Sequence, residues 1–386
     1  MNYYEESLKL HEANRGKLEI ISKVPLKNRD DLSTAYTPGV AQPCTAIRDD
    51  PENAYKYTLK GRTVAVVSDG SAVLGLGNIG GLASIPVMEG KAILFKAFGG
   101  IDAVPICLET QDSDEIVRIV RNIAPVFGGI NLEDIAAPRC FEIERRLREQ
   151  LDIPVFHDDQ HGTAIVVSAA VINACKLLEK PLESVKAVIN GAGAAGTAVT
   201  KMLLALGLRD IVVCDSEGIL SPNRLSTLSE YKIDLLEITN KGDLRGGLVE
   251  ATAGRDLFIG VSGPRLLTED MVASMNKDPI IFAMSNPEPE IMPLLAKTAG
   301  AAIVGTGRSD FPNQINNVLA FPGVFKGAFA ARAKAVTEEM KLAAARALAD
   351  VVKPGELSPD YILPGAFDET VADAVAEAVA RAWNRA

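Results

Sequence analysis

The residues with the clearest chemical meaning form a glycine turn between an apolar run and a helix-forming run. Gly191, Gly193 and Gly196 have the G-x-G-x-x-G spacing and follow the strand-like run Val188-Ile-Asn. In such a turn the second glycine lets a pyrophosphate approach the backbone, and the third lets helix and strand pack closely. The helix N-terminus adds free N–H groups and a partial positive charge. The predicted dinucleotide-binding residues here are Gly191, Gly193, Ala194, Ala195 and Gly196.

An acidic residue supports this interpretation of the glycine turn. The run Ile211-Val-Val-Cys-Asp215 is typical of a second strand that ends in an acid, and Asp215 lies about 20 residues after Gly196, where an acid can bind a ribose hydroxyl. Gly75-Leu-Gly-Asn-Ile-Gly80 has the same glycine spacing but no such strand and acid behind it. We therefore expect the Gly75–Gly80 match to be a functional loop of another domain. For the Gly191–Gly196 match, the alternative to a dinucleotide-binding turn is a glycine turn in an unrelated α/β unit.

Two acidic clusters each follow an apolar, strand-like run. Glu133 and Asp134 come after Gly-Ile-Asn-Leu, and Asp158 and Asp159 come after Ile-Pro-Val-Phe-His. If both strand ends meet, the carboxylates suit Mg²⁺ or Mn²⁺, which prefer oxygen ligands. A zinc pair of His157 and His161 would need a helix, whereas we expect a strand–loop junction with the helix beginning near Thr163. Solvated turn acids are the third interpretation.

Two further side chains are candidates for proton transfer. Tyr36 lies beside Pro38 and Gly39 on a predicted irregular loop, where a phenol can act as a general acid or simply pack and cap the backbone. Lys91 begins an apolar stretch, so burial would lower its pKa and make it a candidate base. The alternative is a lysine at an element edge that keeps its ammonium in water, and Lys96 shares this ambiguity.

The second half of the chain alternates strand-like runs with small or polar residues. Asn286 and the pair Asn316-Asn317 fall after such runs. In a doubly wound parallel sheet the carboxyl ends of the strands line the ligand crevice, so these side chains are candidate ligand contacts; the alternative is that they only cap turns. We expect an α/β fold of two domains, with a Rossmann-type parallel sheet in the second.

Composition narrows the class of protein. The chain has 386 residues, of which 47% are hydrophobic and 23% are charged, as in globular proteins with a large core. Its net charge of −10 argues against nucleic acid as the main partner. We expect no membrane span, because no apolar run approaches about 18 residues. The acidic start is unlike a signal peptide, and five scattered cysteines indicate reduced thiols in a cytoplasmic protein.

Together these stretches resemble the malic enzyme family in its short prokaryotic form, from about Lys17 to the C-terminus. The resemblance is carried by these segments: Ser33-Thr-Ala-Tyr-Thr-Pro-Gly-Val, Val67-Ser-Asp-Gly, Leu74-Gly-Leu-Gly-Asn, Met88-Glu-Gly-Lys, Asn131-Leu-Glu-Asp, Phe156-His-Asp-Asp-Gln-His-Gly-Thr, Ala283-Met-Ser-Asn-Pro and Asn316-Asn-Val-Leu-Ala-Phe-Pro-Gly. It implies oxidative decarboxylation of L-malate to pyruvate and CO₂, with NAD or NADP and with Mg²⁺ or Mn²⁺.

The resemblance also implies roles for individual residues. Tyr36 matches the family's general acid and Lys91 its general base. The implied metal ligands are Glu133, Asp134 and Asp159, with Asp158 beside them. Asn286 and Asn317 match positions that touch the substrate, and Asn286 is also expected near the coenzyme.

The chain departs from the long eukaryotic pattern at Ser71-Ala72, where that pattern has Glu-Arg and the arginine clamps the substrate carboxylate. Backbone N–H groups of the Gly75–Gly80 loop or a lysine would have to replace it.

Asp215, Ser216 and Glu217 favour NAD, whereas Arg224 could turn towards a 2′-phosphate. By analogy we expect a homodimer with the polar N-terminal helices at its interface, a substrate and metal domain over 1–160, and a nucleotide domain over 161–386. The alternatives are malolactic decarboxylation to lactate and a non-catalytic dinucleotide sensor.

Overall fold

Two parallel sheets form the body of the protein, which confirms the expected two-domain α/β architecture. The computed structural model describes residues 2–385. The strands are β1 (Thr63–Ser68), β2 (Asp102–Cys107), β3 (Gly129–Leu132), β4 (Val155–His157), β5 (Lys186–Asn190), β6 (Asp210–Asp215), β7 (Gly218–Ile219), β8 (Leu257–Gly260), β9 (Ile280–Ala283) and β10 (Ile303–Thr306).

Helices cover both sheets and precede the first one. They are α1 (Tyr3–Asn14), α2 (Arg29–Ala35), α3 (Ala41–Asp49), α4 (Asn53–Tyr57), α5 (Gly80–Gly99), α6 (Ser113–Ile123), α7 (Arg139–Gln150), α8 (Asp158–Leu177), α9 (Ala194–Leu206), α10 (Glu230–Ile238), α11 (Leu248–Thr252), α12 (Glu269–Ala273), α13 (Pro293–Thr298), α14 (Phe321–Ala330), α15 (Glu338–Val351) and α16 (Thr370–Trp383).

The first sheet has the strand order β2-β1-β3-β4, and every pair in it is parallel. Its central strand β1 is buried along its whole length, as the apolar run Val64-Ala-Val-Val67 leads one to expect for a sheet covered on both faces. Because all four strands run the same way, the residues that follow β3 and β4 reach the same edge of the sheet.

The second sheet has the order β10-β9-β8-β5-β6-β7. The chain runs outwards from β5 in one direction through β6 and in the other through β8, so the strand order reverses between β5 and β8, where ligands bind in such sheets. One detail differs from the expected parallel sheet. The two-residue edge strand β7 pairs antiparallel with β6, because only Ser216 and Glu217 connect them and a parallel return needs a long crossover.

Helix α8 lies between the two sheets in the sequence and packs in the middle of the molecule. Of its 20 residues, 15 are buried, and it packs on α9 and α15. It begins at Asp158, directly after β4, and not near Thr163 as the sequence suggested. Aspartates in a first helical turn interact favourably with the free N–H groups there, which accounts for the earlier start.

The segment before the first sheet contrasts with this core. None of the residues of α1, α2, α3 and α4 is buried. Large apolar side chains in this part are instead exposed, including Tyr3, Tyr4, Leu8, Ile20 and Ile21. All five cysteines are free, and no helix within residues 2–385 combines the length and apolarity needed to cross a bilayer.

The Asn173→Ala substitution should destabilise the fold by about 1–3 kcal/mol, because it leaves two buried carbonyls unpaired. Asn173 lies in α8 and donates from Nδ2 to the carbonyl oxygens of Ala349 at 2.8 Å and Ile362 at 2.9 Å. Urea denaturation measures the change. The matched control is Asn122→Ala, whose exposed amide bonds only to its own helix. Equal free energies of unfolding for the two variants would contradict this role of Asn173.

Candidate active site

Lys91 stands in the middle of helix α5 and is buried, with a side chain that is only 7% exposed. Its Nζ lies 2.8 Å from Glu133 Oε1 and 2.5 Å from Asp158 Oδ2. The ammonium also lies 4.1 Å from the centroid of the Phe321 ring, an attractive cation–π geometry. Lys91 is therefore not a solvated lysine at an element edge. Lys96, by contrast, is exposed and pairs with Asp102.

The three predicted ligands of a divalent cation come together beside Lys91. Glu133 and Asp134 follow β3, and Asp159 lies in the first turn of α8. Each offers a carboxylate oxygen, and these atoms lie within 4.8 Å of one another. The Asp134 backbone N–H donates to Asp159 Oδ2 at 2.8 Å, and Asp134 has a left-handed φ of 54°. Aspartate tolerates this conformation better than most residues, and such strain concentrates at functional sites.

Burial of these like charges raises their pKa values. Desolvation, followed by the charges of Asp159 and Glu133, raises the pKa of Asp134 to about 9. Burial raises the pKa of Glu133 to about 7 and that of Asp159 to about 6, although the Lys91 ammonium opposes both shifts. A cation bound among them would relieve this repulsion, and three carboxylates are ligands that Mg²⁺ and Mn²⁺ prefer. The residues therefore fit a hard divalent cation.

The charge state of Lys91 differs from the sequence expectation. Burial lowers its pKa, but the carboxylates of Asp158 and Glu133 more than offset this effect, so the pKa lies above its ordinary value. Asp158 is fully buried and also accepts a hydrogen bond from Asn317 Nδ2. Gly162 lies one turn after Asp158 on α8, and a side chain there would collide with Asp158 Oδ1, so the position of this carboxylate requires glycine. The structure thus joins Lys91, Asp158, Glu133 and Asn317 into one network.

The histidines play a different part from a zinc pair. His161 lies on α8, but His157 ends β4, so the two do not share a helical face. His161 Nε2 pairs with the buried Glu144 at 2.8 Å. Burial lowers the pKa of His157 to about 4. The only group with metal-ligand geometry among residues 2–385 is the acidic cluster.

The loop after β1 connects the two halves of the site. The backbone N–H of Ala72 donates to the Asp134 carbonyl at 2.9 Å, and Arg139 holds the loop through Asp69 at 2.8 Å and Ser71 at 2.9 Å. At its tip, a side chain on Gly75 would lie 3.5 Å from the Asn286 carbonyl oxygen. The loop therefore reaches from the acidic cluster to the turn after β9 that carries Asn286.

Most backbone donors of this loop are already used. The N–H groups of Leu76 and Gly77 bond to the Val73 carbonyl, and those of Ile79 and Gly80 bond to the Gly70 carbonyl. These four amides are therefore poor candidates for the substrate carboxylate that the absent arginine would have held. Glu290, which sequence reasoning did not single out, accepts from the N–H of Ser285 at 3.0 Å and fixes the turn before Asn286. Its only sequence signal is an acid four residues after an asparagine.

The glycine turn has the geometry that a dinucleotide requires. A side chain at Gly196 would come within 1.7 Å of the Gly191 carbonyl oxygen, whereas one at Gly193 would meet nothing within 4 Å. Gly196 therefore permits close helix–strand packing, and Gly193 leaves space for a pyrophosphate at the start of α9, which begins with Ala194 and Ala195. A groove of about 290 Å³ runs from Gly191 past Asp215 to Tyr231 and Lys232. We call it the coenzyme groove.

Asp215 sits in this groove between two cations. Arg224 Nη2 lies 2.9 Å from Asp215 Oδ1, and Lys232 Nζ lies 2.7 Å from Asp215 Oδ2. Arg224 also pairs with Glu217 at 3.0 Å. Sequence reasoning considered Arg224 but missed Lys232, which stands one helix further along the chain and carries no motif. The two carboxylates, Asp215 and Glu217, are therefore balanced by two cations, Arg224 and Lys232, at this end of the coenzyme groove.

Tyr36 is a predicted site residue that forms no hydrogen bond with Lys91, the acidic cluster or Asn317 within the described chain. It follows α2 directly and is 66% exposed.

Stability of the metal-free protein should fall as pH rises from about 6.5 to 9. In that range the unfolded carboxyls are ionised, but folded Asp134 (pKa about 9) keeps its proton up to about pH 9, and Glu133 and Asp158 (both about 7) keep theirs only at the lower end of the range. The folded state thus binds more protons, and each such group lowers the free energy of unfolding by up to about 1.4 kcal/mol per pH unit. Urea denaturation in EDTA measures the slope.

The Asp134→Asn substitution should flatten the slope of stability against pH most, because the pKa of Asp134 is raised furthest. The control Asp270→Asn, at an exposed position, should leave the slope unchanged. A stability that is flat or rises over this pH range would contradict the proposed electrostatics of the cluster.

Comparisons with known proteins agree with this geometry. The family model described as malic enzyme, N-terminal domain, matches residues 15–148, and the model described as malic enzyme, NAD binding domain, matches residues 160–383. A bifunctional malic/malolactic enzyme of Bacillus subtilis is 57% identical over 382 residues, which cover 99% of this chain and 93% of that protein. A NAD-dependent malic enzyme of Geobacillus stearothermophilus is 57% identical over 370 residues, covering 96% and 77%.

Solved structures extend the likeness to three dimensions. A NAD-dependent malic enzyme from Thermotoga maritima superposes with a TM-score of 0.93 at 52% identity, covering 97% of this chain and 98% of that one. A malic enzyme from Pyrococcus horikoshii gives 0.95 at 48% identity, covering 99% and 91%. With matches to both domain models and to relatives over nearly the whole chain, the protein belongs to the malic enzyme family, an oxidoreductase family that uses NAD or NADP.

Proposed function

We propose that the protein oxidises and decarboxylates L-malate to pyruvate and CO₂ and reduces NAD or NADP, with the division between its two domains near residue 160. The observation that carries this proposal is the buried Lys91, held between Glu133 and Asp158 at the edge of a three-carboxylate cluster. A non-catalytic sensor would need neither the buried lysine nor the costly group of carboxylates around it.

Lys91 is placed to move a proton at the C2 hydroxyl of malate. As a neutral amine it would accept that proton while the C2 hydride leaves for the coenzyme, and Asp158 would then stabilise the resulting ammonium at 2.5 Å. Asn317, bonded to Asp158, fixes the carboxylate that faces Lys91. Malate loses a hydride to the coenzyme and a proton to Lys91 in this step, and C4 departs as CO₂ in the next, which leaves an enolate of pyruvate.

Glu133, Asp134 and Asp159 are the residues that would hold Mg²⁺ or Mn²⁺. When bound, the cation would polarise the malate hydroxyl and would compete with Lys91 for the negative charge of Glu133, which would weaken the hold of the cluster on the lysine proton. Asn286 and Asn317 are the neutral side chains proposed to donate hydrogen bonds to the substrate. They are proposed because positions 71 and 72 are Ser71 and Ala72, where the long eukaryotic pattern has the arginine that clamps the substrate carboxylate.

Tyr36 is proposed to protonate C3 of the enolate, and its position supports a homodimer. Within one chain it is largely exposed, and so are Leu32 and Val40 near it and the apolar side chains of α1. Exposed apolar side chains concentrated in one segment of the chain suit an interaction site. A second copy of the chain, packed on the segment before β1, would cover this surface and bring one subunit's Tyr36 to its partner's Lys91.

Coenzyme choice follows from the balance around Asp215. A carboxylate there binds a ribose 2′-hydroxyl and repels a 2′-phosphate. Arg224 and Lys232, each within 3 Å of Asp215, neutralise that repulsion and offer two donors. We therefore propose that both NAD and NADP are accepted.

Malolactic decarboxylation is the second candidate, because the Bacillus subtilis relative is named a bifunctional malic/malolactic enzyme. That reaction would use the same site and keep the reduced coenzyme bound, so that lactate forms without net reduction.

An assay with L-malate and Mn²⁺, run with NAD and NADP in parallel, should yield pyruvate and reduced coenzyme in equal amounts. The Lys91→Met variant should lose about 10²–10⁴-fold in kcat, since it removes the base. Absorbance at 340 nm and separate pyruvate and lactate quantification are the measurements. The control is Lys96→Met, on the same helix but exposed, which should keep its activity. Lactate without reduced coenzyme would select the malolactic reaction, and an active Lys91→Met enzyme would refute the assignment of the base.

Heterodimers of Tyr36→Phe and Lys91→Met chains test where the acid comes from. Each homodimer should be inactive, but a heterodimer isolated with two different affinity tags should recover about half of wild-type activity, because one of its two sites is intact. If Tyr36 acts within its own chain, both sites of the heterodimer are damaged and no activity returns. Light scattering of the wild type, showing a monomer, would contradict the dimer itself.

A further inference from the structure

A second cavity lies between α7, α8, α9 and α15. It has a volume of about 730 Å³, within the range of about 300–1,000 Å³ that ligand pockets span. Helix α7 of the first domain forms one wall, and α9 and α15 form the others. Its lining includes none of Lys91, the acidic cluster or the glycine turn. We call it the interdomain cavity.

The cavity has an excess of uncompensated positive charge. Each carboxylate in its lining is already paired within 3 Å: Glu144 with His161, Glu149 with Arg145, and Glu338 with Lys341. Arg148 and Lys201, on opposite walls, form no ion pair with any described residue, and the only hydrogen bond that the Arg148 guanidinium donates is to the Val336 carbonyl at 3.4 Å. Two unpaired cations facing one space favour an anionic occupant.

A buried hydroxyl in the lining also lacks a partner. Thr197 in α9 is only 5% exposed, and its Oγ1 has no hydrogen-bond partner among residues 2–385. Thr200, one turn later, donates to the Gly196 carbonyl at 2.7 Å in the usual helical manner. The Thr197 Oγ1 lies beneath the cavity wall and is not accessible from the cavity, so an occupant would contact other atoms of the lining.

Part of the lining is apolar and aromatic. Phe141 of α7 and Met202 of α9 line the cavity together with four alanines. The Phe141 ring lies 5.3 Å from the ring of Tyr231, which lines the coenzyme groove. Gln160 and His161, which directly follow the cation ligand Asp159, line the cavity from α8. An occupant would therefore touch residues adjacent to both parts of the active site.

We propose that the interdomain cavity is a regulatory site for a phosphate ester with an aromatic group, about the size of a mononucleotide. Arg148 and Lys201 bind the phosphate, and Phe141 and Met202 pack on the aromatic group. Because the cavity bridges the two domains and shares the Phe141–Tyr231 contact with the coenzyme groove, binding here changes coenzyme affinity, and the coenzyme changes binding here by the same factor.

Calorimetric titration with ADP tests the proposal. The enzyme is first saturated with its preferred coenzyme, so that ADP is excluded from the coenzyme groove. One ADP per chain should still bind, inorganic phosphate should compete with it, and the double variant Arg148→Ala/Lys201→Ala should bind at least about tenfold more weakly.

Arg145→Ala is the matched control, since Arg145 lies on the same helix and lines the same cavity but is already paired with Glu149. It should bind ADP as the wild type does. Circular dichroism and activity without ADP should be unchanged in the double variant, because neither residue belongs to the catalytic or coenzyme site. Loss of all ADP binding on coenzyme saturation, equal affinity in the double variant, or binding of phosphate but not ADP would each overturn the proposal.

Discussion

A buried ammonium between two buried carboxylates is the interaction on which the arrangement of the site depends. Removing such charges from water costs several kcal/mol for each ion, and only close pairing compensates for it. Lys91 comes from α5, Glu133 from the end of β3 and Asp158 from the start of α8. The ion group therefore holds three elements together at one edge of the first sheet. Asn317 then ties the second domain to the same group through Asp158.

Much of this organisation could be predicted from the sequence because it is local. The strand–turn–helix at Gly191–Gly196 and the acids after β3 and β4 are fixed by short-range patterns, and parallel strands bring such ends together. Contacts that depend on long-range packing could not be predicted. Lys232 reaches Asp215 from another helix, and Arg139 reaches Asp69 across about 70 residues, without any motif to mark either.

The start of α8 shows how one local error changes a chemical interpretation. With a helix expected from Thr163, the acids appeared to lie on a loop, where solvated carboxylates are common. With the helix beginning at Asp158, the same acids are fixed in its first turn, where Asp158 is fully buried and Asp159 is half-buried. The charge state of Lys91 was missed for a related reason, since burial alone lowers a lysine pKa, and only the three-dimensional position of Asp158 and Glu133 reverses that effect.

Helix α8 also limits how the two domains can be recombined. Its first turn contributes Asp158 and Asp159 to the first domain, while its later turns pack on α9 and α15 and form one hydrophobic core with residues of both sheets. A chimaera joined before α8 would inherit the acids from one parent and their supporting strand from the other. A junction after α8 would separate the helix from the helices that cover it. Domain exchange among relatives therefore succeeds only if α8 is inherited together with the first sheet, which supports its acids, and with α9 and α15, which cover it. This requirement constrains how the chain can evolve by fusion and recombination.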